Sequence, residues 1–339
     1  MKINYITIKN YQPEIDSLRA IAISLVVLFH FDLVFTSGFL GVDIFFVISG
    51  FLISKILEEI NKEKNWVLLF FNKRIRRLLP ALYLTIFLVI IFSIIIFSPF
   101  HLERLSKSAL NSTLGISNFF YATETGYFDF EKNFKPLLHT WSLSVELQLY
   151  LIWFFIYFIL IRNFQNYKYL IVISLIAISL FFSVIYSNRS PSFFYFTGFR
   201  IYEFGFGALA YYLTTKNKIK LFGDMSFLVS FISIITASVI FIPEDDFIVG
   251  AYDTFKSLSV VIPTFIIILS FNNLSIFRKF LTLKWLINLG KISYSLYLFH
   301  WPILIFFSYS GNIDITIIHK LFLITISLIL SYISYNYIE

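Results

Sequence analysis

A histidine and an arginine on one predicted helix face are the first residues of this chain that could do chemistry. His30 ends the apolar stretch "LRAIAISLVVLFH", and Arg19 lies eleven residues before it. At about 100° per residue, the two side chains come within about 20° of the same face, roughly 16 Å apart along the axis. The pattern fits a phosphate-binding cation and a buried general base, because ionisable groups inside membranes are usually functional. A core histidine bonded to a carbonyl of a neighbouring helix is an equally good interpretation.

Two carboxylates lie in other apolar segments and could assist His30. Asp43 is near the start of "GFLGVDIFFVISGFLI", where the helix dipole would also favour a carboxylate that has no chemical role. Glu146 lies inside "HTWSLSVELQLYLIW", with Ser142 and Tyr150 one turn away on the same face. Because a bare glutamate facing lipid is improbable, we expect this polar stripe to face the protein interior. Either carboxylate could orient the imidazole and stabilise its cationic form.

Arginines mark the start of the third apolar segment, in "NKRIRRLLPAL". This cluster is typical of a cytoplasmic topology signal. Arg74 and Arg77, however, lie one turn apart and face one way, which suits a phosphorylated ligand. Further along, Arg200 and Glu203 are three residues apart in "FRIYEFGFGALA", and we expect them to pair with each other.

A late segment, "GKISYSLYLFHWPIL", places Tyr297 and His300 on one helix that Pro302 would kink. The spacing does not decide whether His300 is packed or active. The five histidines of the chain are scattered, and no pair has metal-ligand spacing on one helix, so we predict no metal site. The sequence contains no phosphate-binding loop, dinucleotide fingerprint or G-x-S-x-G elbow. It also has no cysteine, which excludes disulfides and thiolate nucleophiles.

The elements that carry these residues are predicted to be membrane helices. The 339 residues are 58% hydrophobic and 14% charged, more apolar than a water-soluble exterior allows. We therefore predict an all-α, polytopic transmembrane bundle of about ten helices that lies in the lipid bilayer. The predicted segments are 18–35, 39–57, 79–98, 140–161, 168–186, 193–213, 222–242, 255–271, 290–309 and 317–337.

Basic residues alternate between the connections and predict the topology. Eighteen Lys and Arg residues belong to one set of connections and their flanks, and five belong to the opposite set. By the positive-inside rule the first set, with both chain termini, is cytoplasmic. The connections 99–139 and 242–254 then lie outside. The net charge of +7 is thus an orientation signal and does not indicate a nucleic-acid partner.

Six stretches resemble, in the right order, motifs of the acyltransferase 3 family of bacterial integral-membrane O-acyltransferases. They are "PEIDSLRAIAISLVVLFH", "GFLGVDIFFVISGFLI", "RIRRLLPAL", "HTWSLSVELQLYLIW", "FRIYEFGFGALA" and "ISYSLYLFHWPIL". The resemblance covers residues 12–339 and leaves 1–11 as a cytoplasmic tail. It implies a multi-pass protein of the bacterial inner membrane. Its activity would be transfer of an acyl group, usually acetyl from acetyl-CoA, to a hydroxyl of lipopolysaccharide, peptidoglycan or another surface carbohydrate or its lipid-linked precursor.

The resemblance also implies roles for particular residues. The family's motif positions fall on Arg19, His30, Arg74, Arg77, Trp141, Ser142 and Glu146. The arginines would hold the phosphates of CoA. His30 would be the general base or a transient acyl carrier, with Asp43 or Glu146 as its acidic partner. We assign a supporting role, toward substrate or structure, to Trp141, Ser142, Tyr150, Glu203, Tyr297 and His300.

Many members of this family continue into an extracytoplasmic SGNH-type esterase-like domain. Here the sequence stops at "YNYIE", so we expect either a stand-alone enzyme or one that passes its acyl group to a separate extracytoplasmic acyltransferase. A function of another class also fits the buried ionisable residues. They could form a proton relay in a glycolipid or small-solute transporter or flippase.

Overall fold

The computed structural model describes residues 11–124, 134–186, 191–215, 223–241, 254–310 and 315–339, and no β-strand occurs within these ranges. The described residues form α-helices joined by short turns, which we number in chain order. The helices are α1 Pro13–His30, α2 Gly41–Ile60, α3 Trp66–Ile96, α4 Pro99–Thr113, α5 Ser117–Thr123, α6 Thr140–Ile156, α7 Lys168–Tyr186, α8 Ile201–Thr214, α9 Asp224–Ile240, α10 Thr254–Ser270, α11 Ile276–Leu281, α12 Lys284–Lys291, α13 Ser293–Ser310 and α14 Ile317–Tyr337.

Each of the ten predicted apolar segments overlaps one of these helices, so the all-α prediction is confirmed for the described residues. Within the described ranges, six helical stretches are long and apolar enough to cross a membrane. They are Gly38–Ile60, Trp66–Ile96, Thr140–Ile161, Gln165–Tyr186, Thr254–Asn273 and Ile317–Tyr337. The number of ten spans and the cytoplasmic location of the termini stay predictions.

Large apolar side chains point outward from several of these helices. Ile95 of α3 is 76% exposed and Phe181 of α7 is 61% exposed. Leu321 of α14 is exposed in the same way. A water-soluble protein rarely leaves such faces uncovered, whereas lipid covers them at no cost. The distribution of apolar surface therefore fits a membrane protein.

Some helix boundaries differ from the predicted ones for local reasons. Helix α1 starts at Pro13, five residues before the predicted segment, because proline favours the first helical turn. It ends at His30, and two residues later Asp32 adopts a left-handed backbone with φ of 47°. Helix α3 begins at Trp66 and carries the arginine cluster in its interior. Helix α8 begins only at Ile201, because the aromatic stretch before it forms tighter 3₁₀ turns.

Four helices lie in stretches that the sequence analysis treated as connections. Helices α4 and α5 follow α3, and α11 and α12 precede α13. Helix α12 packs directly on α1, and a Cβ added at Gly290 would lie 1.8 Å from the carbonyl oxygen of Asp16. The periodicity of apolar residues did not reveal these helices, because they are short and mix polar with apolar residues.

Two glycines bring the backbones of α2 and α8 into contact. A Cβ at Gly50 would lie 2.0 Å from the carbonyl oxygen of Phe204, and one at Gly207 would lie 1.9 Å from that of Val47. Small residues at both sides of an interface allow membrane helices to approach this closely. The contact fixes the start of α2 beside the start of α8, where Asp43 and Arg200 meet.

Candidate active site

Helices α1, α2, α3, α6 and α13 surround a narrow, open cavity, which we call the arginine cavity. Its lining combines apolar side chains of α2 with charged and hydroxyl groups. The polar lining consists of Arg19, Ser49, Arg74, Arg77, Ser142, Glu146, Tyr150, Ser293, Tyr294 and Tyr297. Arg74 and Arg77 face one cavity as predicted, and Arg19 of α1 joins them there. Three guanidiniums around one space suit a ligand that carries phosphate or carboxylate groups.

Glu146 is held in the arginine cavity by neighbouring hydroxyl groups. The Ser49 hydroxyl donates to Glu146 Oε1 at 2.5 Å, and the Tyr150 hydroxyl donates to the same oxygen. The Arg74 guanidinium lies 5.5 Å from the centre of the Tyr150 ring. With Ser142 also lining the cavity, the polar stripe of α6 faces the protein interior as predicted.

A second and larger cavity adjoins the first. Arg19, Arg77 and Leu52 line both cavities, so the two are neighbours with these side chains between them. The larger cavity also has Lys55 and Lys291 in its wall. Its lining contains four basic and two acidic side chains. We call it the basic vestibule, because basic side chains outnumber acidic ones in its lining and it adjoins the arginine cavity.

The chain begins and ends around the basic vestibule, as far as it is described. Tyr11, the first described residue, and Glu339, the last residue, both line it. The predicted cytoplasmic connection between α2 and α3 adjoins the same end through Lys55 of α2. The vestibule therefore lies at the end of the bundle that the positive-inside rule assigns to the cytoplasm.

His30 and His300 form a direct pair between α1 and α13. His30 Nδ1 lies 2.9 Å from His300 Nε2, and the two rings are stacked with centroids 5.1 Å apart. His300 Nδ1 lies 3.0 Å from the carbonyl oxygen of Leu296, one turn earlier on α13. The ring of Trp301 lies 4.8 Å from that of His30. His300 is fully buried and His30 is half-buried, so of the two rings only that of His30 is partly accessible.

Tyr297 lies between the histidines and the arginine cavity. Its hydroxyl lies 2.6 Å from that of Ser142 and donates to the carbonyl oxygen of His139 at 2.9 Å. Its ring centre lies 5.5 Å from that of His300 and 5.4 Å from that of His139. His30 is outside the set of residues that line the arginine cavity. Tyr297 thus forms the wall between the cavity and the histidines.

Asp43 belongs to a different cluster. Its carboxylate pairs with Arg200 at 2.8 Å, and the same guanidinium pairs with Glu203 at 2.9 Å. The pairing predicted between Arg200 and Glu203 is therefore present, and Asp43 joins it. Trp141 and Phe194 close over the guanidinium, with ring centres 5.5 and 4.8 Å from its carbon. This buried cluster ties α2 to α8.

Sequence reasoning missed several neighbours of the predicted site residues. It did not pair His30 with His300, and it did not identify Ser49 as a partner of Glu146. It also left out His139, although that residue directly precedes the "TWS" of a quoted motif. The position of His139 as the first residue of that motif was the available signal. Nothing in the sequence indicates which of two distant helices will pack together.

Within the described ranges no three His, Asp or Glu side chains are grouped so that they could hold a metal ion. The imidazole, guanidinium and hydroxyl groups at this site can supply acid–base and anion-binding chemistry.

The comparison with protein families decides what kind of molecule this is. A family model described as an acyltransferase domain matches residues 12–336, nearly the whole chain. The chain belongs to the acyltransferase 3 family. The match includes all fourteen helices except Tyr337 at the end of α14, so the arginine cavity and the histidine pair both lie inside the family's domain.

Curated relatives agree with this assignment. The O-acetyltransferase OatA of Staphylococcus aureus is 31% identical over 345 residues, which cover 97% of this chain and 57% of the relative. The peptidoglycan O-acetyltransferase OatA of Listeria monocytogenes is 32% identical over 314 residues, which cover 87% of this chain and 50% of that protein. The chain thus spans about half the length of these relatives. No solved structure matches it.

Proposed function

We propose that this chain is a membrane O-acetyltransferase that moves an acetyl group from acetyl-CoA in the cytoplasm to a hydroxyl of a cell-surface carbohydrate or its lipid-linked precursor. The adjoining pair of cavities carries the proposal. The path starts among basic side chains, passes Arg19 and Arg77, and ends at Tyr297 beside the histidine pair. Family membership favours group transfer over transport, the competing interpretation of the buried ionisable residues.

The donor enters through the basic vestibule in this proposal. The phosphates of CoA are strong anions, and guanidinium and ammonium groups bind them through charge-assisted hydrogen bonds. Lys55 and Lys291 line the vestibule, Arg19 and Arg77 line both cavities, and Arg74 lines the arginine cavity. The uncharged pantetheine arm then lies in the arginine cavity against the apolar face of α2. This arrangement brings the thioester toward Ser142 and Tyr297.

The acceptor arrives from the opposite end of the bundle. His30 takes the proton of the acceptor hydroxyl while the oxygen attacks the thioester carbonyl. The carbon–sulfur bond breaks, the acetyl ester forms, and the CoA thiolate recovers the proton. General-base assistance of this kind contributes about 10²–10⁴ in rate. A peptidoglycan-type glycan is the first acceptor to test, since the Listeria relative is named a peptidoglycan O-acetyltransferase.

The carboxylates take supporting roles in this proposal. Asp43 is engaged by Arg200, and Glu146 is engaged by Ser49 and Tyr150. We therefore assign Asp43 and Glu203 to the stability of the α2–α8 contact. Glu146 holds the Tyr150 ring under Arg74 and balances the positive charge of the arginine cavity.

Mass spectrometry of surface glycans tests the proposed function in the cell. A strain that lacks this gene should make its surface glycans in normal amount but without one class of O-acetyl ester. The wild-type gene on a plasmid should restore the ester, and the His30→Ala gene should not. Unchanged acetylation in the deletion strain would contradict the proposal. A glycan that is missing rather than unacetylated would favour a transporter instead.

A further inference from the structure

We infer that His300 is a positioning residue that keeps the proton of neutral His30 on Nδ1, so that Nε2 of His30 carries the lone pair for catalysis. The inference deepens the proposed function and rests on it, because it assumes that His30 is the base. It specifies which nitrogen performs the proton transfer and which residue selects that nitrogen. The partner is a second histidine, where many hydrolases and transferases use a carboxylate.

The direction of the hydrogen bonds follows from one carbonyl group. The carbonyl oxygen of Leu296 can only accept, so His300 Nδ1, 3.0 Å away, must donate to it. A neutral imidazole has a single N–H, so Nε2 of His300 is then an acceptor. His30 Nδ1 lies 2.9 Å from that nitrogen and must be the donor. Neutral His30 is left with its lone pair on Nε2.

The surroundings of His300 support a neutral ring. His300 is fully buried, its hydrogen-bond partners within the described part of the chain are His30 and a carbonyl group, and burial disfavours the charged form. Its backbone partner lies one turn back on the same helix, so the ring orientation is fixed by α13 itself. The stacked arrangement of the two rings, with planes inclined by 20°, limits rotation of His30. Trp301 limits it from a second side at 4.8 Å.

The same hydrogen bond serves the protonated state of the base. When His30 Nε2 takes the acceptor's proton, Nδ1–H still donates to His300 Nε2, and the positive charge on His30 strengthens that bond. No side chain has to turn between the two states, which is the benefit of a preorganised site. The two carboxylates first considered for this role are engaged elsewhere, Asp43 by Arg200 and Glu146 by Ser49 and Tyr150.

Nitrogen NMR on the full chain in lipid tests the tautomer directly. The chain has only five histidines, so ring ¹⁵N labelling gives few signals. His30→Gln identifies the His30 signals by their disappearance. At neutral pH we expect a protonated Nδ1 and a bare Nε2 on His30. In His300→Phe, which keeps a ring but accepts no hydrogen bond, the His30 proton should redistribute toward Nε2. A wild-type His30 with its proton on Nε2 would overturn the inference, as would a tautomer that His300→Phe leaves unchanged.

Transfer kinetics supply a second test with a conservative rescue. His300→Gln retains an acceptor oxygen and should keep part of the activity. His300→Phe should lose about 10²-fold or more in kcat with little change in KM for acetyl-CoA, since a wrong histidine tautomer costs about 10⁴ in a serine-protease triad. The matched control His319→Phe alters a half-buried histidine at the start of α14 and should be neutral. Equal activity of the Phe and Gln variants at position 300 would overturn the inference.

The two tests separate failure of this inference from failure of the proposed function. If His30→Ala retains full transfer activity, His30 is not the base and the proposed mechanism fails, whatever the tautomer. If His30→Ala is inactive but wild-type His30 carries its proton on Nε2, the assignment of His300 alone fails. Should His300→Phe not fold, the NMR measurement on the wild-type chain still decides the tautomer.

Discussion

The carboxylate of Asp43 lies 2.8 Å from the guanidinium of Arg200, across the contact between α2 and α8. Both side chains are almost completely buried, with 5% and 1% of their surface exposed. Glu203 shares the guanidinium, so two carboxylates depend on one cation. The sequence suggested that Asp43 assists the imidazole of His30. Because Asp43 pairs with Arg200 instead, we propose a structural role for it at this helix contact.

Replacing the shared cation should destabilise the protein strongly. Arg200→Met removes the cation that pairs with Asp43 and Glu203, and breaking a buried pair in this way costs about 3–5 kcal/mol. We expect a large fall in the midpoint of thermal unfolding in detergent. The control Lys107→Met breaks the exposed pair with Glu103, whose side chains are 60% and 66% exposed, and should change the unfolding midpoint very little. Similar midpoints for the two variants would contradict the structural role.

At the glycine contact between α2 and α8, helix propensity and packing predict opposite effects of an alanine substitution on stability. Alanine favours a helix over glycine by about 1 kcal/mol, but a Cβ at Gly50 would lie 2.0 Å from the carbonyl oxygen of Phe204. We expect Gly50→Ala to destabilise by about 1–3 kcal/mol or more, because the helices must separate. Gly198→Ala is the control, since its Cβ meets nothing within 4 Å. The same thermal assay in detergent measures both, and a stabilised Gly50→Ala would refute the close contact.

Removal of two arginines should weaken donor binding. Arg74→Ala with Arg77→Ala takes two guanidiniums from the arginine cavity, and each lost charge-assisted contact costs about 1.5–3 kcal/mol. Calorimetry with CoA should therefore show a fall in affinity of at least about tenfold, while acceptor binding changes little.

Arg76 provides the matched control for this pair. It lies on the same helix between the two arginines, but it is exposed and is not part of the cavity lining. Arg76→Ala should leave CoA affinity nearly unchanged. If the double variant binds CoA as tightly as the wild type, the arginines serve topology alone.

Cysteine labelling tests the orientation of the bundle, and the absence of native cysteine keeps the experiment clean. Ser106→Cys on α4 and Lys64→Cys between α2 and α3 are both at exposed positions. On intact cells an impermeant thiol reagent should label the first and not the second. Asp246→Cys, in the predicted outer connection and outside the described residues, should also be labelled. Labelling of Lys64→Cys on intact cells would invert the topology and remove the physical basis for a cytoplasmic donor.

The sequence predicted what depends on local pattern and on composition. Apolar periodicity located the ten main helices, and the one-turn spacing of Arg74 and Arg77 correctly placed them on one face. The interior position of Glu146 followed from the cost of a carboxylate in lipid. Each of these predictions needs only the neighbours of a residue along the chain.

Features that depend on helix packing could not be predicted in this way. His30 and His300 are separated by 270 positions, and no spacing rule links them. The same holds for Asp43 and Arg200, whose pairing depends on the glycine contact of α2 and α8. Short helices such as α12 gain their stability from packing on α1 and have little signal of their own.

Acetyl transfer by the purified protein tests the central claim most directly. The wild-type chain and His30→Ala, reconstituted at equal amounts in liposomes, receive acetyl-CoA with a labelled acetyl group and soluble peptidoglycan fragments. The account predicts label in ester linkage on the glycan for the wild type. It predicts a fall of at least about 10²-fold for His30→Ala, the usual share of a general base. Comparable transfer by the two proteins would contradict the account.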